Sequence, residues 1–320
     1  MVQVAQTPRG ERRAARLRAK AQRKEHGAWY PRWYWPSFAA PGTGYLLIFF
    51  IIPLYVVISL AFGTVDAFSN PIPVYQPWFW SGQYMAQVLN EAVGVNSAVY
   101  IRTFAYILIA SVLCVAVSYT VAYYIARFGR RRRGIYLALL IAPFFISYLM
   151  RMLAWNNLLS PKGYINQIIG WFPFAPHNVG WQTGNQLTIV LGLVYGYVPY
   201  MVLPLYGFLD RIQGNLLEAG RDLGANRVRT FVRVTLPLSK QAILAGIVIV
   251  SLPMFGDYYT HNLLGLSNST SMIGNLLDDA KGSGQGSDSR VASLCLVIML
   301  LMLLPMAYYL RSTKKELEQR

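Results

Sequence analysis

The sequence predicts an all-α membrane protein with six transmembrane helices and both termini cytoplasmic. Three observations carry that expectation. Of the 320 residues, 55% are hydrophobic and only 13% charged, an apolar balance that soluble domains of this length rarely reach. Six apolar runs, at 45–62, 103–126, 135–155, 187–209, 242–255 with its continuation, and 291–310, have about the length of a bilayer crossing. Finally, 24 of the 29 Lys and Arg residues fall in the two terminal segments and in the second and fourth connections, the asymmetry expected of cytoplasmic segments.

Taken in order, residues 1–38 form a basic tail, too long and too charged before the first apolar run to be a cleavable signal. It is suited to contact anionic membrane lipid. Residues 39–312 make the six-span domain, and 313–320 a short cytoplasmic tail. The first external connection, 63–102, contains "WFWSGQYMAQVLNEAV", where Tyr84, Val88, Leu89 and Ala92 recur at helical spacing and predict an interfacial helix. Trp78, Trp80, Trp155, Trp171 and Trp181 fall in external connections or at span ends, where indoles sit at headgroup level. In the fourth run Pro199 is expected to open the backbone. The fifth is interrupted by Pro253 and Gly256 and followed by Asp257, so it either ends there or bends.

Several function classes are excluded. Cys114 and Cys295 lie inside apolar runs, and His26, His177 and His261 are scattered without ligand spacing, so no metal site is expected. No G-x-x-x-x-G-K-[ST] occurs, and no nucleophile–base grouping stands out, so the chain is expected neither to bind a nucleotide cofactor nor to be an enzyme. The net charge of +16 follows membrane orientation rather than nucleic-acid binding. Arg130 to Arg133 are consecutive and lie in a connection, unlike gating arginines spaced every third residue within a span.

The fourth connection, 210–241, holds the stretch "EAGRDLGANRVRTFVRVTLP". Asn215 and Glu218 have the spacing of a capping box and predict a helix start. Leu216, Gly220 and Leu223 then share a face, with Ala219, Gly220 and Gly224 keeping part of the surface shallow. Gly224 predicts a stop, Asn226 a second cap, and Val228, Phe231 and Val232 an apolar stripe opposite Arg229 and Arg233. Two short helices meeting at a bend result, with a shallow face that a protein groove requires and lipid does not.

This stretch resembles the EAA motif of permease subunits of type I ABC importers: Glu218, Ala219, Gly224, Leu236 and Pro237 match the pattern. Gly220 departs from it, standing where the family usually has Ala. The resemblance covers the chain from about residue 45 onward. "LEAGRDLGANRVRTFVRVTLPLS", "SPKGYIN", "GLVYGYVPYMVLPLYGFLD" and "FGDYYTHNLLG" are most similar to the polyamine (spermidine/putrescine) branch, although permeases for ferric iron, sulfate and other solutes share much of the pattern. It implies a coupling surface made of Glu218, Ala219, Gly220, Asp222, Gly224, Ala225, Leu236 and Pro237, docking into two copies of an ATPase that carry the ATP and Mg. It further implies a second homologous permease and an extracytoplasmic solute-binding protein in a prokaryotic plasma or inner membrane.

A polyamine is a chain of ammonium groups joined by methylenes, so its path should offer carboxylates, hydroxyls and aromatic faces. Asp257 with Tyr258 and Tyr259, the set Tyr195, Tyr197 and Tyr200, and Trp155 are the candidates. An ion pair between Asp257 and Arg151 is the alternative use of that carboxylate.

Overall fold

A computed structural model describes residues 34–65, 71–171, 179–282 and 287–318. The basic stretch 9–24 with Arg32, His26, His177 and residues 283–286 of "KGSGQGSDSR" lie outside the described residues. The chain divides into two units, residues 1–56 and 57–320. Within the first, helix α1 (Tyr34–Ala61) begins well before the predicted span and continues through Pro41 and Pro53 into the second unit.

The second unit is helical apart from a two-residue antiparallel pair, β1 (Thr64–Val65) with β2 (Pro71–Ile72). Its centre is α3 (Ser97–Phe128) packed along α7 (Gln186–Leu209). Ala110, Cys114 and Ala122 of α3 are fully buried, and small residues at such a seam let two backbones approach closely. Ser118 Oγ donates across it to the Val198 carbonyl at 2.9 Å. Contrary to the expectation for Pro199, α7 runs unbroken from Gln186 to Leu209 with Pro199 inside it, packed along α3.

Between the two long helices lies the third apolar run, which is not a single span. It forms α4 (Arg133–Ile141), a 3₁₀ turn (Ala142–Phe145) and α5 (Tyr148–Leu158), with an 86° bend at the break. Pro143 removes a backbone donor there, and Ser147 starts α5 afresh by accepting the Met150 N–H at 3.3 Å. A second bend, of 60°, lies at Ser239 ahead of the fifth run, and of the two alternatives at Pro253 and Gly256 the run ends there. Its helix, α11 (Lys240–Phe255), ends just before Gly256. Four helices are long and apolar enough to cross a membrane, and the number rises to six if each bent pair counts as one span.

The predicted external helix is α2 (Gln83–Val93), but its face meets protein rather than lipid alone. Val88 packs with Leu294 and Val297 of α13 (Ser287–Glu318) and Ala280 of α12 (Ile273–Gly282), and Glu91 pairs with Arg290 at 2.7 Å. Trp80, Trp155 and Trp181 are packed, whereas Trp78 and Trp171 stay exposed. At the start of α3, Arg102 donates to the carbonyls of Ser269 and Ser271 and to Ser271 Oγ, while Thr103 Oγ1 accepts the Ile273 N–H. These bonds clamp the turn ahead of α12 to α3. In the "SPKGYIN" stretch, which enters α6 (Tyr164–Gly170), buried Asn166 accepts from Trp181 Nε1 at 3.0 Å and donates to the Ser160 carbonyl.

Candidate functional site

Two regions emerge, an exposed elbow and a buried cage. The elbow is α8 (Gly214–Asp222), α9 (Arg227–Thr230), a π-turn (Phe231–Thr235) and α10 (Leu236–Leu238). The predicted capping box is not formed: Gln213 is the N-cap, without a side-chain bond, and Asn215 already lies inside the first turn. The chain leaves α7 through a tight turn at 210–213, so the helix starts two residues earlier than the cap spacing implies.

The predicted stop is formed in full. Gly224 adopts φ +83, Ala225 N–H bonds the Gly220 carbonyl at 3.1 Å and Gly224 N–H the Arg221 carbonyl at 2.8 Å. That paired closure needs a left-handed residue, which glycine adopts without steric cost. Asn226 then caps α9 by accepting the Arg229 N–H at 2.8 Å. Glu218, Ala219, Asp222, Gly224, Leu236 and Pro237 are exposed, and Gly220 and Ala225 half-buried. Leu223 is 89% and Val228 69% exposed, so apolar side chains project outward among charges.

The apolar stripe is therefore split, since Phe231 turns inward. Its ring meets Tyr119 and Tyr123 of α3 edge-on, at 5.6 and 5.5 Å between centroids. Tyr119 also shares a hydrogen bond with Ser239 at 3.0 Å. On the other side, Arg133 pairs with Asp210 and Arg127 donates to the Ile212 carbonyl. The elbow is thus tied to α3, α4 and α7 at both ends, while its tip is exposed among the described residues. A cavity of ≈ 530 Å³, lined partly by Leu217, Arg227 and Phe231, lies beneath it.

The cage assembles around Asp257, which is 5% exposed. Its Oδ2 accepts from Tyr148 at 2.6 Å and Thr260 Oγ1 at 2.7 Å, with the Tyr197 hydroxyl at 3.5 Å; Oδ1 accepts the Thr260 N–H at 3.1 Å. The alternative reading fails here: among the described residues the ion pairs are Arg133–Asp210 and Arg290–Glu91, and Arg151 does not pair with Asp257. Hydroxyls and a backbone N–H satisfy the carboxylate instead.

Aromatic rings surround this centre. Tyr148 lies 5.9 Å from Tyr197 and 6.5 Å from Tyr259, Tyr197 is 6.2 Å from Tyr200, and Tyr258 lies 4.1 Å from Tyr259 with the rings tilted by 30°. Trp155 meets Tyr195 at 5.3 Å. The Arg151 guanidinium sits over Phe144 at 4.2 Å and near Tyr148 and Tyr195 at 5.4 and 6.0 Å, joining the two groups of rings. All seven sequence-predicted path residues thereby fall in one connected set.

Sequence reasoning missed Tyr148, Phe144 and Thr260. Nothing in the sequence separates Tyr148 from the other 21 tyrosines; the restart of a helix at Ser147 after Pro143 was the available signal. Close approach makes the cage possible. A Cβ on Gly196 would lie 2.6 Å from Tyr148 Cε2, and one on Gly192 would lie 2.8 Å from Thr260 Cγ2. The bare face of α7 is the floor on which Tyr148 and Thr260 rest. On the other side, Gly274 of α12 presses against the Asp257 backbone, where a Cβ would come within 2.8 Å.

The cage and the elbow thus belong to a chain with several helices long and apolar enough to cross a membrane. Residues 115–314 match the family of binding-protein-dependent transport system inner membrane components, and the chain belongs to that family. It is 31% identical over 235 residues, 73% of this chain and 78% of the relative, to the spermidine/putrescine transport system permease protein PotB of Salmonella typhimurium (strain SL1344). The PotB proteins of Escherichia coli (strain K12) and Haemophilus influenzae are 30% and 28% identical, covering 73% and 86% of this chain and 82% and 94% of theirs. In fold it is similar to a chain of a bacterial alginate ABC transporter solved with its alginate pentasaccharide-bound periplasmic protein. That match has a TM-score of 0.65 and 15% identity, and covers 87% of this chain and 92% of the other.

Proposed function

We propose that this chain is the membrane permease subunit of an ATP-driven polyamine importer, moving spermidine or putrescine inward by alternating access. The observation that carries the reading is the likeness to three PotB permeases over most of the chain, and the cage around Asp257 gives it chemistry. An ammonium reaching Asp257 would find a carboxylate held by exchangeable hydroxyls, with aromatic faces within cation–π reach.

In this reading the elbow residues Glu218, Ala219, Gly220, Asp222, Gly224, Ala225, Leu236 and Pro237 dock on an ATPase subunit. Two copies of that subunit supply the ATP and Mg chemistry, a second homologous permease completes the pathway, and an extracytoplasmic receptor delivers solute. ATP-driven closure of the ATPases displaces the elbow. Because Phe231 is wedged against Tyr119 and Tyr123, the displacement passes to α3 and, through the α3–α7 seam, to the helix that floors the cage. The charge asymmetry supports placing the elbow and both termini in the cytoplasm of a prokaryotic cell.

The test is reconstitution in proteoliposomes. Radiolabelled spermidine should accumulate only when this chain is combined with the ATPase, the second permease and the receptor, with ATP on the elbow side. Full-rate uptake by this chain alone would falsify the assignment.

A further inference from the structure

Arg151 is 5% exposed, yet its Nε and Nη1 are buried without a hydrogen-bond partner, and no carboxylate of the described residues pairs with it. A desolvated cation without a counter-ion is costly, and Arg151 occupies the first turn of α5, where the positive end of the helix opposes it further. What it has instead is three aromatic faces, those of Phe144, Tyr148 and Tyr195. Tyr148 is also the residue whose hydroxyl binds Asp257, so the cation of Arg151 and the carboxylate share one ring.

The same rings cannot serve a second cation at close range while Arg151 holds them, since like charges repel. We propose that Arg151 is a tethered occupant of the solute's cation site. Its guanidinium fills the aromatic cage when solute is absent, and an incoming solute ammonium displaces it toward water along its flexible stem. The site is then never empty: the resident cation keeps the rings apart and excludes small cations that bind too weakly to displace it. A solute carrying several ammonium groups on one chain can also engage Asp257, which gives it the advantage that a monovalent ion lacks. This inference rests on the reading that the solute path runs through the Asp257 cage.

An internal competitor lowers apparent affinity by the fraction of sites it leaves open. Equilibrium binding of radiolabelled spermidine to the purified transporter, without its receptor, should therefore tighten by about tenfold in Arg151→Met. In Arg151→Ala, free guanidinium at millimolar concentration should compete with spermidine, while having little effect on the unsubstituted transporter. Arg151→Lys, which keeps the charge, should stay near the unsubstituted affinity. Unchanged or weaker spermidine binding in Arg151→Met, with no competition by guanidinium in Arg151→Ala, overturns the proposal. Loss of assembly in the Met, Ala and Lys variants alike also overturns it, by making the arginine a structural element. Asp257→Asn separates the two levels. If it weakens spermidine binding while the Arg151 variants do not strengthen it, only the tethered-cation inference fails; if it changes nothing, the path itself is misplaced.

Discussion

The elbow and the cage solve opposite physical problems. In α8 no residue is buried, its tip carries Glu218 and Asp222 beside exposed Leu216 and Leu223, and its shape comes from a glycine closure and an asparagine cap within a dozen residues. The cage draws Phe144, Tyr148, Arg151, Trp155, Tyr195, Tyr197, Tyr200 and Asp257 to Thr260 from separate segments, and its central groups are almost wholly buried. A surface meant for a partner can be written locally, because the partner supplies the other half. A buried polar site must find its own partners, and these arrive from distant parts of the chain.

Substitutions can break this contrast, and the largest effect should come from the elbow. Deleting residues 218–224 should abolish co-purification with the ATPase and all uptake, while the α3–α7 body still extracts from membranes as a folded monomer. Retained ATPase binding would place the docking surface elsewhere. Next, Asp257→Asn should reduce uptake efficiency by between about tenfold and a hundredfold, the range for removing a hydrogen-bonded charge from a cation's partner. Assembly should be intact, as the amide oxygen still accepts from the Tyr148 and Thr260 hydroxyls and only the Thr260 N–H bond is given up; pull-down and uptake on the same preparation measure both.

Smaller effects separate the two regions through their glycines. Gly196→Ala places a methyl against the Tyr148 ring, an overpacking worth about 1–3 kcal/mol, and should lower uptake several-fold without loosening the ATPase. Equal losses of ATPase binding would mean that cage and elbow are not separable. Smallest is the pair at the elbow itself. Gly220→Ala meets Thr230 and Val234 at ordinary distances of 3.6 to 3.8 Å and should stabilise α8 by up to ~1 kcal/mol. Gly224→Ala, at φ +83, should destabilise the closure by roughly 1–2 kcal/mol. Thermal unfolding of the purified complex should rank the two with opposite signs.

The apolar runs alone carried the all-helical class, because span length is set by the bilayer and not by packing; the match over residues 115–314 places the chain in its transport family. The Gly224 stop and the Asn226 cap were equally legible, since each depends on residues within one turn. Less so were the breaks. Pro143 and Ser147 together turn the third run through 86°, and the fifth run ends two residues after Pro253, whereas Pro199 leaves its helix intact. A proline removes the same donor everywhere, and only the neighbours decide whether the helix bends. The alternative Asp257–Arg151 pair is absent for the same reason. Composition places two opposite charges near one end of the spans, but the bare face of Gly192 and Gly196 admits Tyr148 and Thr260 to the carboxylate, leaving the arginine to the rings. Such geometry depends on which helix faces which, and that choice belongs to the tertiary structure.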